Sequence, residues 1–381
     1  MNIKILYVSA RFVPCMGGTE LHTYEVARRF VSEGHQVNVL TTDVSGKLPA
    51  QETIAGINVI RTKVYFKNTD FYLSPNIYRK ILDGNWDIIH CQGYHTFIAP
   101  IAMLGAIRAR TPFILSFHSG GHSSNIRQWI RPLQIKLLKP LISRASAIIG
   151  TTEWEIQHFS NLLNLKNKKY HIVSNGSYLP KIKQNTFPND SEINIVSIGR
   201  LEKYKGHHRI IEAFLHIIKR LPNAKLSIVG TGPYQGVLEG MITDLGLEDC
   251  VKIIAFGTDE RAKLSDFVAR AHLVTILSEY ESQGMAALEA LSLGRKVLVT
   301  ESSALLELTQ YDLVKAVPLN CGSDVLADSV VSHLFYNPQD KEIKLPTWNE
   351  GFQELKNIYA QVLNLNKEES NLDLENLSNN D

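Results

Sequence analysis

Short apolar runs rich in Ile, Val and Leu recur along the chain, separated by stretches of helix-forming sequence. Few folds satisfy that alternation. Strands separated by helices pair parallel, in doubly wound α/β layers. In the first half the strand-like runs fall near 3–9, 37–42, 57–61, 86–91, 112–117, 147–151 and 170–173. In the second half they fall near 193–198, 225–230, 251–256, 273–277, 296–300 and 314–318. Between the two sets lies Ser177 to Ser191, rich in Pro, Lys, Asn and Asp, which reads as a linker. The expectation is two Rossmann-like domains, 1–178 and 192–340, that repeat an architecture but not a sequence. With 381 residues, 44% of them hydrophobic, the chain can bury two cores. The stretch 366–381 is polar and acidic and is expected to be a disordered tail.

Charge and cysteine usage narrow the function classes. A net charge of +2 gives no overall polyanion-binding character, so no nucleic-acid partner is expected. Cys15, Cys91, Cys250 and Cys321 are widely spaced, indicating neither a zinc site nor a disulfide framework and favouring a reducing cytoplasm. The sequence enters a strand at once with no signal-like segment. Its longest apolar stretch, Phe97 to Ile107, is too short to span a bilayer. A cytoplasmic protein is expected, with the Asn175-Gly-Ser177 sequon left unglycosylated.

The chemistry concentrates in strand-to-helix loops. Glu281-Ser-Gln-Gly-Met-Ala-Ala-Leu-Glu289 follows the run Leu273 to Leu277 and opens a helix at Gly284 and Met285. Its two carboxylates stand about 12 Å apart along the backbone if the loop is compact, too far to share a proton. They suit the two ends of an extended polar ligand, with open helix amides between them for an anion. A pair of surface carboxylates has the same pattern and is the commoner case. A second strand, Ile193 to Ile198, runs into Gly199-Arg-Leu-Glu-Lys-Tyr-Lys-Gly206. Arg200 and Lys205 there could neutralise a diphosphate leaving group; Lys203 reads as a solvated cation. Lys225 to Val229 runs into Gly230-Thr-Gly-Pro233, where glycine lets a ligand approach the backbone. Near the start, Ile3 to Ser9 leads through Gly17-Gly18-Thr-Glu20 to an amphipathic helix from about Leu21 to Glu33. That loop matches neither a dinucleotide fingerprint nor a P-loop.

Taken in order, these pieces resemble a known family. The Gly17 to Glu20 loop, Ser116-Phe-His118, Val173-Ser-Asn-Gly176, Gly199 to Gly206, Val229 to Pro233, the Glu281 and Glu289 pair and a terminal helix from Trp348 are similar to the family 4 glycosyltransferases of the two-domain GT-B fold. The resemblance implies a terminal helix, about 348–365, crossing back to the first domain. It implies retaining transfer of a hexose-type sugar from a nucleotide-sugar donor, a UDP- or GDP-sugar, with no metal and no further cofactor. Glu281 would hold sugar hydroxyls and Glu289 the ribose. Arg200, Lys205 and the amides near Gly284 and Met285 would meet the leaving charge. His118 would sit near the sugar, and Gly17, Gly18 and Gly230 would let the donor approach the backbone. The acceptor would be a glycan or a lipid-linked molecule of cell-surface polysaccharide or glycoconjugate synthesis. Gln283 stands where the family usually has an aromatic, and Glu301-Ser-Ser-Ala304 lacks the paired glycines often found there. A sugar-nucleotide epimerase and a non-catalytic nucleotide-sugar-binding protein remain as rival readings.

One segment stands apart. Asn125 to Arg144 carries Arg127, Arg131, Lys136, Lys139 and Arg144, no acidic residue, and interleaved apolar side chains. Such a helix suits an anionic membrane surface, and equally a domain surface with a basic solvent face. Pro132 and Pro140 are expected to break it into short pieces.

Overall fold

The computed structural model describes residues 2–15, 17–65, 72–118, 125–165, 169–176, 179, 191–257, 259–338 and 343–378, with backbone alone for 125–132 and 365–378. The expected linker lies almost wholly outside the described residues. The chain divides into two compact units. One holds the chain through Asn175, apart from a short piece at Gly120–Gln128, together with the segment from Trp348; the other runs chiefly from Gly176 to Thr347.

The first unit is an eight-stranded sheet: β1 (Lys4–Val8), β2 (Gln36–Asp43), β3 (Gln51–Ile54), β4 (Ile57–Lys63), β5 (Ile88–Gln92), β6 (Phe113–Ser116), β7 (Ala147–Gly150) and β8 (Tyr170–Ile172), in the order β3-β4-β2-β1-β5-β6-β7-β8. The second is a six-stranded sheet: β9 (Ile193–Ile198), β10 (Ala224–Val229), β11 (Val251–Ile254), β12 (Leu273–Ile276), β13 (Lys296–Thr300) and β14 (Val314–Val317), in the order β11-β10-β9-β12-β13-β14. Only β3 runs antiparallel to its neighbour among these strands. Parallel strands with helices on both faces are buried on both, so they read as unbroken apolar runs. β5 shows this: Ile88 to Gln92 are all buried, and His90 is satisfied by the hydroxyls of Tyr359 and Ser116, each at 2.8 Å. Each sheet has a core on either face.

Two expectations are corrected. β3 was missing from the sequence reading. It is a short, half-exposed edge strand that pairs with β4 across Ala55-Gly56, both at positive φ (49° and 79°). That is the backbone of a two-residue hairpin turn matched to strand twist. The basic segment is one helix, Asn125–Ile142, carried through both prolines. A proline removes one i→i−4 bond, and Ile135 and Ile142, 1% and 0% exposed in the first core, anchor the helix regardless. The terminal helix runs from Trp348 to Ser378.

The terminal helix belongs to the first unit. Phe352, Leu355, Ile358, Tyr359 and Val362 enter its core, where Tyr359 stacks on Phe30 at 5.0 Å and Phe352 meets the same ring edge-on at 4.8 Å. In both sheets the chain order reverses beside the first strand of the unit, β1 or β9. Open α/β sheets bind ligands outside the carboxyl ends of the strands at such a switch point.

Candidate active site

In the second unit, β9 and β12 are hydrogen-bonded neighbours, and the loops leaving them meet. Gly206 makes this possible. It sits at φ 75°, and a Cβ there would lie 2.0 Å from the Leu277 carbonyl oxygen. The absent side chain lets the Gly199–Gly206 loop lie against the end of β12. Lys205 Nζ is thereby brought 2.5 Å from Glu281 Oε1, and Ser278 Oγ donates to the same oxygen at 2.8 Å. Glu281 and Lys205 are mostly buried, with 17% and 15% of their side chains exposed. Sequence spacing assigned these two residues separate duties; the structure makes them one ion pair.

Tyr204 organises both cations of the loop. Its buried ring lies 5.3 Å under Lys205 Nζ, and its hydroxyl accepts from Arg200 Nη2 at 2.8 Å. Its carbonyl accepts the Glu279 N–H at 2.8 Å, a further tie to the β12 loop. His207 lies beneath. Its ring nitrogens meet Ser197 Oγ at 2.8 Å and the Arg200 carbonyl at 3.2 Å. Burial drives its pKa down to about 4, so it is a neutral prop for the Arg200 backbone. Lys203 is exposed.

Gly284 caps the helix Met285–Ser292 in the left-handed region, φ 75°, and, being glycine, gives the helix start no side-chain cap of its own. A Cβ at Gly284 would stand 2.8 Å from Leu305 Cδ2. The first-turn amides, from Met285, carry the positive end of the helix dipole. Further along the same helix, Glu289 accepts from Arg261 Nη2 at 2.7 Å. Burial pushes the Glu289 carboxyl above the ordinary range and Arg261 pulls it back. Gly230 follows β10 and donates its N–H to the Ile254 carbonyl at 2.9 Å.

The remaining candidates lie in the first unit. Gly17 is extended and Gly18 opens the helix Gly18–Ser32, again with no side-chain cap. A Cβ on Gly18 would meet nothing within 4 Å, so the fold does not require glycine there. Beyond β6, His118 sits at φ 41°, unusual for a residue with a side chain. Its ring centroid is 4.6 Å from that of His22. His22 is buried, its Nδ1 bonded to Asn175 Oδ1 at 2.6 Å, and burial lowers its pKa to about 4. Burial, then repulsion by His22, His90 and His95, holds His118 well below the ordinary value. These rings are therefore neutral near pH 7, suited to hydroxyls rather than to neutralising a phosphate. Asn175, buried by the same contact, is no glycosylation site in the folded chain.

Tyr204, His207, Arg261, Ser278 and His22 escaped the sequence reading. Tyr204, His207, Ser278 and His22 lie inside or beside the quoted motifs and Arg261 outside them; His22 and Arg261 take their roles from partners 153 and 28 positions away. Among the described residues no cluster of metal-ligating side chains occurs, and no helix is long and apolar enough to cross a membrane.

Two Rossmann-like units, each with glycine loops at the carboxyl ends of its strands, and a loop and helix carrying Glu281 and Glu289 define a glycosyltransferase of the GT-B class. The sequence matches the profile of Glycosyltransferase Family 4 over residues 16–177 and that of Glycosyl transferases group 1 over 180–312. The chain belongs to the family 4-type glycosyltransferases. It is 28% identical to an uncharacterised glycosyltransferase of Methanocaldococcus jannaschii, across 95% of this chain and 99% of that one. It is 25% identical to a GDP-mannose:cellobiosyl-diphosphopolyprenol alpha-mannosyltransferase of Xanthomonas oryzae, across 77% of each. The fold matches Anabaena Alr3699/HepE, solved with UDP and glucose, at a TM-score of 0.65 and 20% identity, covering 99% of this chain and 100% of that one.

Proposed function

We propose that the protein moves a hexose-type sugar from a UDP- or GDP-sugar to a glycan or lipid-linked acceptor, with retention and without a metal. One observation carries the reading: a single loop cluster joins the Lys205 and Glu281 pair, Arg200 and the start of the helix Met285–Ser292. Cations and helix amides would stabilise a departing diphosphate. Glu281, held by Lys205 and Ser278, presents its carboxylate to hydroxyls of the donor sugar. Glu289, on the helix Met285–Ser292, takes the ribose hydroxyls, and Gly230, where a Cβ would lie 1.9 Å from the Gly199 carbonyl oxygen, lets the two glycine loops pack together. In the first unit, neutral His118 is suited to a hydroxyl ligand.

In the transfer step the bond from C1 to the diphosphate oxygen breaks, with its electron pair leaving on the diphosphate. The acceptor oxygen forms the new bond to C1 on the face the diphosphate leaves, and its proton passes to the leaving phosphate oxygen. No side chain is needed as a covalent nucleophile.

The acceptor and membrane parts of the reading are supported by helix Asn125–Ile142. Leu133 and Leu137, one turn apart, are 58% and 71% exposed, with Lys136 exposed between them. The Xanthomonas relative is named for a diphosphopolyprenol acceptor. The protein works at an anionic cytoplasmic membrane face and takes a lipid-linked glycan as acceptor.

Incubation with labelled UDP- and GDP-sugars and a panel of lipid-linked and soluble glycans, in EDTA, tests the reading. Transfer with the donor's anomeric configuration kept is expected. Strict dependence on added magnesium or manganese would overturn the metal-free reading. A changed sugar formed without acceptor would make the protein an epimerase, and donor binding without turnover would make it a binding protein.

A further inference from the structure

We propose that Ser303 is a positioning residue for Glu281, in a loop that uses a strained backbone to aim the carboxylate. This rests on the role of Glu281 proposed above.

Ser303 has φ 48°, in the left-handed region. A side chain there crowds its own backbone, and glycine is the residue that adopts it freely. Strain of this kind persists where surrounding contacts impose it, and it gathers at functional positions. Here the contacts are explicit. Ser303 Oγ accepts the Glu281 N–H at 2.8 Å, and the Ala304 N–H donates to the Glu281 carbonyl at 3.3 Å. The two peptide groups flanking the Glu281 side chain are thus gripped by adjacent residues of one loop.

The same loop reaches the carboxylate by a second route. Thr300 Oγ1 and Ser302 Oγ both donate to the Ser278 carbonyl, at 2.5 and 2.8 Å. Ser278 Oγ in turn donates to Glu281 Oε1, the oxygen that meets Lys205. Backbone and carboxylate of Glu281 are therefore both indexed to the segment leaving β13. A glycine at 303 would keep the backbone path and relieve the strain, but would lose the hydroxyl. Stability and activity should accordingly part company at this position.

The test compares Ser303→Gly, Ser303→Ala and Ser303→Asn in the full chain. Gly and Ala should each lower kcat by about ten- to hundredfold, the scale of a slightly misplaced reacting group. UDP and GDP affinity should not change. The melting temperature of the Gly variant should match or exceed wild type and lie above that of the Ala variant, since glycine alone relieves positive φ. Asn, which tolerates this backbone and offers a carbonyl acceptor, should recover part of kcat. Hydrogen exchange in the peptide spanning 278–284 should quicken in Gly and Ala. A Gly variant with wild-type kcat, or no faster exchange in either variant, would overturn the proposal. Should wild type transfer no sugar from any donor, the proposed function falls, and exchange alone decides whether Ser303 holds Glu281.

Discussion

At the scale of single residues, Lys205 carries the most testable burden. It is 2.5 Å from Glu281 and 5.3 Å above the Tyr204 ring, so its ammonium is fixed before any ligand arrives. A preorganised charge stabiliser of this kind contributes about 10²–10³ in kcat when removed singly. Lys205→Ala should therefore lose two to three orders of magnitude in kcat, with a smaller change in KM. Steady-state kinetics with the active donor check this, and a Lys205→Ala enzyme within threefold of wild type would remove Lys205 from the leaving-group site. Residue types were legible here and partnerships were not. Gly-Arg-Leu-x-x-x-Lys-Gly announces two cations near a ligand. Nothing in it says that Lys205 pairs with a carboxylate 76 positions away, because that contact exists only once β9 lies beside β12.

At the scale of elements, the terminal helix shows how a distant segment completes a core. Tyr359 is fully buried, and its hydroxyl meets both His90 Nδ1 at 2.8 Å and the Tyr7 hydroxyl at 2.9 Å. Tyr359→Phe preserves the stacking on Phe30 but strands two buried polar groups. It should cost about 1–3 kcal/mol, read from denaturant unfolding; an unchanged midpoint would mean that water replaces the hydroxyl. The helix Asn125–Ile142 bears a different prediction. Exposed Leu133 and Leu137 beside Lys136 should insert at an anionic surface, with about 1 kcal/mol per basic residue screened by salt. Leu133→Ser, Lys136→Gln and Leu137→Ser together should release the protein from anionic vesicles in a flotation assay. Wild type that ignores such vesicles at low salt would leave a helix with a solvated basic face. Proline signals misled the reading of this helix because they are local, whereas Ile135 and Ile142 hold it through the domain core. β3 escaped for the opposite reason: an edge strand with alternating exposure has no apolar run to announce it.

At the scale of the molecule, buried neutral histidines tie stability to pH. His22 and His207 are held near 4 by burial, against an ordinary value of 6.5. Below about pH 6.5 the unfolded chain takes up protons that the fold refuses, so stability is full above that value. It should fall as pH drops toward 4, by about 1.4 kcal/mol per pH unit for each histidine. Melting curves from pH 8 to 5 should be flat and then decline, and His22→Gln should shallow the decline; a melting temperature rising on acidification would contradict the assignment. The architecture was legible at this scale because parallel strands buried on both faces leave continuous apolar signatures, from Ile88 in β5 to Val299 in β13. The site was legible only as motifs, since Arg261, Tyr204 and Ser303 act through contacts that folding creates. The most direct measurement of the central claim is calorimetric titration of UDP and GDP into wild type, Glu281→Ala and Glu289→Ala. One nucleotide should bind wild type, Glu289→Ala should weaken that binding by about 1.5–3 kcal/mol, and Glu281→Ala should leave it intact. Binding of neither nucleotide, or equal weakening by both substitutions, would contradict it.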